Sequence, residues 1–298
     1  MRVTVIGAGG VGGYYAGVMA RAGNEVSLFA RGSHLDAIRG GGLRIRTPDE
    51  TFSVDVHATD DPSELGGELA IVAVKAYSLD QVAAVAAALA RDGADVLPLL
   101  NGVDAAERLA DSGVPRERIL GGLTYLSAFR TGPGVIERYS PFQRIVAGEL
   151  AGGGSARVDR IIEMLAAAGV EATASEHILL DLWRKLIFLA AMSAACGLAR
   201  RPIGPLRDAP PGRRLIERAV AEVAAVARAS GIAIPNDEES RTIEALHAVP
   251  AAMKPSFLVD LESGGPTELD ALSGFVSRRA APLGVATPVH DTAVAALS

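Results

Sequence analysis

The hydrophobic pattern divides the chain into two parts of different character. In the first part, short β-branched runs alternate with amphipathic stretches that predict helices over 78–91 and 104–111. This alternation predicts right-handed crossovers and a parallel sheet that helices cover on both faces. The runs predicted as its strands are "RVTVIG" (2–7), "EVSLFAR" (25–31), "LAIVAVKA" (69–76), "ADVLPLLNG" (94–102) and "ILGGLTYLSAF" (119–129).

Two further strand-like runs, 134–140 and 142–150, are joined at Ser140-Pro141 and are expected to extend the sheet as an antiparallel pair. A helix over 157–169 and a strand over 170–175 still belong to this α/β part. From about His177 onward the period is helical only, and the predicted helices are 177–199, 212–230, 237–247, 266–282 and 288–297. We therefore predict a doubly wound α/β domain, residues 1–175, followed by an all-α domain, residues 176–298.

A glycine-rich loop lies between the first strand and the first helix. It reads Gly7-Ala8-Gly9-Gly10-Val11-Gly12, which is the dinucleotide fingerprint in the context that this motif requires. Gly7 permits a tight turn, Gly9 lets the backbone approach a pyrophosphate, and Gly12 lets helix and strand pack closely. The pattern predicts that the first domain is of the Rossmann type, with all six loop residues at the cofactor.

The residue after the second strand indicates which dinucleotide binds. An acid there would bind the ribose 2′-hydroxyl of NAD, but this chain has Arg31. A guanidinium can pair with a 2′-phosphate, so the predicted cofactor is NADP(H).

Polar residues also follow the third and fourth predicted strands, at Lys75 and Asn101. Ligands of doubly wound sheets bind outside the carboxyl ends of the strands, so both residues are candidate contacts of cofactor or substrate. Asn101-Gly102 is also compatible with a simple turn, which would not exclude such a contact.

One lysine begins the most apolar stretch of the chain. Lys185 precedes a run without charge, 186–199, which is too short to span a membrane and therefore predicts a buried helix. Lys185 shares a helical face with Leu189 and Ser193. A desolvated lysine has a lowered pKa and suits a general acid, whereas a lysine whose head reaches water would be structural. The helical pattern alone favours the structural interpretation.

Composition limits the classes of function. The net charge of −6 disfavours nucleic acid as a partner, and the single cysteine, Cys196, fits a reducing cytoplasm. The five histidines show no metal-ligand spacing, so no metal is predicted, and His290 receives no role. Near the C-terminus, Thr267 is a plausible N-cap, with Glu268 and Asp270 in the first turn of its helix.

Several of these segments together resemble the ketopantoate reductase (2-dehydropantoate 2-reductase) family. They are "GAGGVGG" at the N-terminus, "VKAY", "LNGV", "LWRKL" and the closing "KPSFLVDLESGGPTELDALSGFV", so the resemblance covers nearly the whole chain. It implies NADPH-dependent reduction of a 2-keto acid, with 2-dehydropantoate to pantoate as the first expectation. Its partner would then be a small molecule rather than nucleic acid or membrane, and an Ala-rich helical surface is compatible with a homodimer.

The resemblance also implies roles for individual residues. Lys185 corresponds to the lysine that protonates the carbonyl oxygen, Glu268 to the acid that binds the substrate hydroxyl, and Ser256 to a contact of the substrate carboxylate. Lys75 and Asn101 correspond to positions at the cofactor and substrate.

The family usually has asparagines where this chain has Leu189 and Ser193, which favours a more apolar substrate. Ser193 remains a candidate substrate contact. A related hydroxy-acid dehydrogenase and a non-catalytic NADP(H)-binding sensor are therefore kept as alternatives.

Overall fold

The computed structural model describes residues 1–298, which form two compact units. The first unit comprises Met1–Leu100 and Asp104–Ile178, and the second comprises Asn101–Val103 and Leu179–Ser298. The first contains a parallel sheet with helices and the second is helical, so the predicted fold class is confirmed. The assignment of cofactor binding to residues 1–175 and of substrate binding to 176–298 stays a prediction.

The first unit contains twelve strands and five helices. The strands are β1 (Arg2–Ile6), β2 (Glu25–Phe29), β3 (Leu43–Arg46), β4 (Thr51–Val54), β5 (His57–Thr59), β6 (Leu69–Val72), β7 (Asp95–Pro98), β8 (Leu120–Tyr125), β9 (Ala128–Gly132), β10 (Val135–Arg138), β11 (Arg144–Glu149) and β12 (Glu171–Ala174). The helices are α1 (Gly10–Arg21), α2 (Gly32–Gly41), α3 (Leu79–Arg91), α4 (Ala105–Asp111) and α5 (Ala156–Ala167).

The central sheet is fully parallel and has the order β5-β2-β1-β6-β7. Its inner strands are buried apolar runs, as in sheets that helices cover on both faces. The fifth strand is β5, so the prediction that 119–129 supplies it was wrong. That segment instead forms β8, which pairs antiparallel with β11. Ile119, just before β8, forms one isolated parallel bridge with Val96 of β7.

The predicted antiparallel pair of 134–140 and 142–150 was also wrong. β10 pairs with β9 and β3, whereas β11 pairs with β8 and β12 in another sheet. The tight turn lies earlier, at Pro133-Gly134, where Gly134 has a φ of 71° that favours glycine. At Ser140 the chain does not reverse into a hairpin, because the Tyr139 N–H donates to the Ser127 carbonyl and the Ser127 N–H donates to the Ser140 hydroxyl.

The second unit is built on the helix that begins at Ile178. Its helices are α6 (Ile178–Ala199), α7 (Ile203–Asp208), α8 (Pro210–Ala229), α9 (Glu238–Ala248), α10 (Ser256–Glu262), α11 (Phe275–Ala280) and α12 (Pro288–Leu297). A π-helical segment, Asp270–Gly274, precedes α11. The short helices α7 and α10 were absent from the sequence prediction. The middle of α6 is buried on almost every side, as its composition requires.

A buried polar network joins three elements of this unit. His290 of α12 is fully buried, with Nδ1 at 3.1 Å from the Ser273 hydroxyl and Nε2 at 3.2 Å from the Ala219 carbonyl. The Glu222 carboxylate of α8 accepts the N–H groups of Val289 and His290, which caps α12 from a neighbouring helix. His290 is thus a core residue. None of the helices has the length and apolar composition of a membrane-spanning segment.

Candidate active site

The glycine loop has the geometry that a bound pyrophosphate needs. Gly7 has a φ of 106°, and a Cβ there would lie 2.7 Å from Val74 Cγ1. A Cβ at Gly12 would overlap the Gly7 carbonyl, so glycine allows α1 to approach β1 this closely. Beside Gly9, in contrast, a Cβ would meet nothing within 4 Å, which leaves open space at the N-terminus of α1. No side chain caps this terminus and no acid lies in its first turn, so the loop fits the phosphates of a dinucleotide.

Arg31 follows β2 and occupies the N-cap position of α2. Its guanidinium carbon lies 5.2 Å from the Phe29 ring centroid, the residue is exposed, and it forms no ion pair. The first turn of α2 contains no acid. A cation that no carboxylate neutralises, at a helix N-terminus, can accept a phosphate group. The site thus fits the 2′-phosphate that distinguishes NADP(H).

Lys75 lies beyond the carboxyl end of β6, half-buried and with extended backbone (φ −65°, ψ 144°), just before a 3₁₀ turn over 76–78. This is the edge of the sheet at which β1 leads into the glycine loop, because β1 and β6 are parallel neighbours. The structure therefore brings Lys75 and the glycine loop to one edge of the first unit.

Three residues predicted from separate motifs meet in the second unit. The Lys185 ammonium donates to the Asn101 side-chain oxygen at 3.2 Å, and the Asn101 amide nitrogen donates to Glu268 Oε2 at 3.0 Å. Asn101 thereby bridges the cation and the acid, and its carboxamide orientation follows from these two partners. Lys185 and Glu268 are only 9% and 4% exposed. We refer to Lys185, Asn101 and Glu268 as the buried trio.

Burial lowers the pKa of Lys185 to about 8, and the charge of Glu268 opposes part of this effect. The physical cause is desolvation, which penalises the charged form of the amine. An amine with this pKa is largely protonated at neutral pH and can still release its proton readily. The expectation that the head of Lys185 reaches water is wrong, because the residue is buried; its role as a general acid stays a prediction.

Glu268 precedes the helical segment rather than lying in its first turn. The helix begins at Asp270, where the exposed Asp270 carboxylate pairs with Arg278, and Thr267 Oγ1 accepts the Leu269 N–H at 3.4 Å. Asp270 is therefore the acid that can complement the helix dipole, whereas the Glu268 carboxylate accepts a hydrogen bond from Asn101.

The remaining substrate candidates lie at different depths. Ser193 is buried two turns beyond Lys185 on α6, and Leu189, between them, is partly exposed. Ser256 is the exposed first residue of α10 and has no hydrogen bond to the buried trio. The structure thus brings together three of the predicted site residues of the second unit, while Ser193 and Ser256 are not bonded to them.

His34 of α2 was missed by the sequence analysis. Its ring bonds to the Ala8 carbonyl of the glycine loop at 2.8 Å, and the residue is 3% exposed. The available signal was its position: His34, Leu35 and Ile38 form the buried face of α2, and His34 lies five residues after the end of β2.

Two other reactive side chains lie outside these contacts. Cys196 is fully buried and burial raises its pKa to about 12, so its thiol is inert. No group of three or more His, Cys, Asp or Glu side chains is arranged to hold a metal ion.

Comparisons with known proteins agree with this geometry. The family model described as "Ketopantoate reductase PanE/ApbA" matches residues 3–152, and the corresponding C-terminal model matches residues 177–298. A 2-dehydropantoate 2-reductase of Halobacterium salinarum is 36% identical, with 98% of this chain and 96% of the relative covered.

Solved structures show the same fold over the full length. A PanE/ApbA family ketopantoate reductase from Ralstonia eutropha has a TM-score of 0.90 and 30% identity, covering 100% of this chain and 97% of the other. A D-mandelate dehydrogenase with NADH and anilino(oxo)acetate has a TM-score of 0.88, 23% identity and coverage of 98% and 96%, and is similar in fold. The chain belongs to the ketopantoate reductase family, and it is accordingly an NADP(H)-dependent oxidoreductase that acts on CH–OH groups.

Proposed function

We propose that this protein reduces a 2-keto acid to the 2-hydroxy acid with NADPH, and that 2-dehydropantoate is the first candidate substrate. The observation that carries the proposal is the buried trio, in which the Lys185 ammonium lies 3.2 Å from the Asn101 oxygen and Asn101 binds Glu268. A non-catalytic sensor would need neither a desolvated amine nor a buried acid, so the trio favours turnover.

Lys185 is the proposed proton donor. NADPH, when bound, supplies a hydride to the carbonyl carbon. The ammonium of Lys185 then stabilises the negative charge that develops on the carbonyl oxygen and transfers a proton to it. A pKa of about 8 supports both tasks, because the amine is charged at neutral pH and is a stronger acid than a solvated lysine.

Asn101 and Glu268 are proposed to hold this ammonium in place. The Asn101 carboxamide fixes the position of Nζ by one hydrogen bond, and the negative charge of Glu268 favours the protonated form of Lys185. By resemblance to the family, Glu268 also binds the substrate hydroxyl, Ser256 binds its carboxylate, and Ser193 and Lys75 contribute further contacts. A location in the cytoplasm and a homodimer stay predictions.

A second candidate substrate is a 2-keto acid with a more apolar side chain. Leu189 is partly exposed one turn beyond Lys185, where the family usually has asparagine. A leucine at this position offers no partner to a substrate hydroxyl, and an unpaired hydroxyl in a buried site is costly. The solved D-mandelate dehydrogenase complex contains anilino(oxo)acetate, an oxamate whose amide nitrogen carries a phenyl group.

The test is a panel of 2-keto acids assayed by loss of NADPH absorbance. The panel contains 2-dehydropantoate, aliphatic keto acids without a hydroxyl, and phenylglyoxylate. The highest kcat/KM on 2-dehydropantoate supports the first candidate, and the highest value on an aliphatic or aryl keto acid supports the second. Absence of NADPH oxidation with every member would overturn the proposal.

Two variants sharpen the choice. Leu189→Asn combined with Ser193→Asn restores the residues usual in the family and should raise kcat/KM for 2-dehydropantoate relative to phenylglyoxylate. Lys185→Met should abolish most turnover on the preferred substrate. Arg241→Met is the matched control, because it removes an exposed cation from α9 of the same unit.

A further inference from the structure

His34 is bonded through both ring nitrogens to backbone groups of two different loops. Nε2 lies 2.8 Å from the Ala8 carbonyl oxygen, and the Gly134 N–H donates to Nδ1 at 2.9 Å. A backbone N–H can only donate, so Nδ1 must be an unprotonated acceptor and the ring proton must reside on Nε2. The neighbours therefore fix His34 as a neutral imidazole in one tautomer.

The two partners of His34 belong to segments that pack together. Ala8 lies inside the glycine loop, and Gly134 lies in the turn that joins β9 to β10. The same hairpin contacts the start of α1 directly, because a Cβ at Gly10 would overlap the Ala128 carbonyl. His34 thus connects the loop to the hairpin that supports it.

Fixing the Ala8 carbonyl also fixes the next N–H. The peptide unit is planar and trans, so its carbonyl and its N–H point in opposite directions. Because the Ala8 oxygen is held at the His34 ring, the Gly9 N–H points away from that ring. This N–H is one of the donors with which a glycine loop binds phosphate.

We propose that His34 is a positioning residue for NADP(H), which orients the Ala8–Gly9 peptide for the cofactor phosphates and loses this effect when its ring is protonated. A protonated ring keeps the Nε2–H that donates to Ala8, but it also presents an N–H at Nδ1 to the Gly134 N–H. These two donors repel each other, so the ring is displaced from the position in which it holds the Ala8 carbonyl. The proposal concerns cofactor binding and is independent of the identity of the substrate.

The surroundings of the ring decide the pH at which this happens. Burial lowers the pKa of His34 below its ordinary value of 6.5, and the positive charge of Arg130 on β9 lowers it further, while the hydrogen bond to Ala8 opposes the change. The glycine loop and the 133–134 turn present backbone groups to the ring. His34 is therefore neutral at neutral pH, and it becomes charged only as the pH falls below 6.5.

Two substitutions in the full-length protein separate positioning from simple packing. His34→Gln offers a carboxamide that can donate to Ala8 and accept from Gly134 but does not titrate, and His34→Leu removes both bonds. We expect His34→Leu to raise the Kd for NADPH about tenfold and to leave kcat at saturating NADPH nearly unchanged. Each lost hydrogen bond makes the orientation of the glycine loop modestly less favourable. Gln should keep the wild-type Kd at neutral pH.

The decisive readout is Kd against pH for NADPH and for NADH, measured from neutral pH to about pH 5, where an ordinary histidine is protonated. Wild type should lose affinity for both cofactors in acid, and His34→Gln should lose less, which excludes titration of the 2′-phosphate as the cause. His57→Gln, at an exposed histidine on β5, is the control and should behave as wild type. Unchanged affinity in His34→Leu, or an unaltered acid limb in His34→Gln, would overturn the proposal.

Discussion

The side-chain nitrogen of Lys185 lies 3.2 Å from the side-chain oxygen of Asn101, although 84 residues separate them in the chain. Asn101 belongs to a three-residue segment, Asn101–Val103, that packs with the helical unit rather than with β7 and α4, which flank it in sequence. This segment places the Asn101 carboxamide beside Lys185 of α6, and the next turn of α6 after Lys185 contains no polar side chain.

The rates of reduction and of oxidation should depend on pH in opposite directions. Reduction needs the protonated amine of Lys185, whose pKa is about 8, so the rate of reduction should fall as the pH rises through 8. Oxidation of the hydroxy acid needs the neutral amine and should become faster over the same range. Steady-state kcat/KM profiles in both directions measure this. Identical profiles would exclude Lys185 as the titrating acid, and Lys185→Ala should lower kcat by about 100-fold or more.

Glu268→Gln should shift the basic limb of the reduction profile to lower pH. The carboxylate raises the pKa of Lys185, so its replacement by a neutral amide lets desolvation lower that pKa further. The shift of the limb, not the loss of rate, is the informative quantity. Glu244→Gln changes an exposed acid on α9 and serves as the control. If the basic limb stays at the same pH, the charge of Glu268 does not affect the pKa of Lys185.

Arg31→Ala should reduce the preference for NADPH over NADH. The exposed guanidinium has no acidic partner and is available to a phosphate, and a charge-assisted bond of this type contributes about 1.5–3 kcal/mol, or roughly 10- to 100-fold in affinity. Titration of each cofactor into wild type and variant gives the ratio of Kd values. An unchanged ratio contradicts the assignment, whereas equal weakening of both cofactors would indicate a role at the common part of the dinucleotide.

His290 should destabilise the native protein in acid. Burial lowers its pKa from 6.5 to about 4, so the native state resists protonation that the unfolded chain accepts. The stability that depends on the neutral ring is fully present above pH 6.5 and is lost as the pH falls to about 4, a loss of about 3 kcal/mol. Urea unfolding of wild type and of His290→Leu, at a series of pH values between neutral pH and about 4, measures this loss of unfolding free energy.

The variant should be less stable than wild type at neutral pH, since Ser273 and the Ala219 carbonyl lose their partner, and the difference should shrink in acid. Glu222 also titrates in this network, but it is present in both proteins. His177→Leu, at an exposed histidine, should show a gap from wild type that does not vary with pH. A constant gap for His290→Leu would mean that its ring does not resist protonation.

Most of the α/β order could be predicted from local pattern. β1, β2, β6 and β7 are short apolar runs, and the chain segments that follow β1 and β6 have helical period, so alternation alone predicts parallel pairing. The errors concern which strands become neighbours. Pairing of β10 with β9 and β3 depends on the Pro133-Gly134 turn and on the Ser127–Ser140 contacts. No sequence pattern indicates that Ser127 and Ser140 contact each other.

In the candidate site too, local features could be predicted from the sequence and contacts between distant residues could not. The glycine loop and Arg31 were identified from spacing because a phosphate loop is a local structure, formed by consecutive residues. Lys185 was ambiguous because one helix pattern cannot show what covers a lysine, and Glu268 resembled a helix cap until its partner was known. His34 was missed because both of its partners are backbone groups, which leave no trace in side-chain identity.

The sequence by itself determined the strand–helix alternation, the phosphate loop and the presence of a cation beside an apolar helical run, because each of these arises from neighbours along the chain. Tertiary structure alone decided that Lys185, Asn101 and Glu268 meet, and that His34 fixes the Ala8 carbonyl. The physical reason is that desolvation and hydrogen bonding depend on which groups are close in space. Those groups lie 84, 167 and 26 residues apart in the chain.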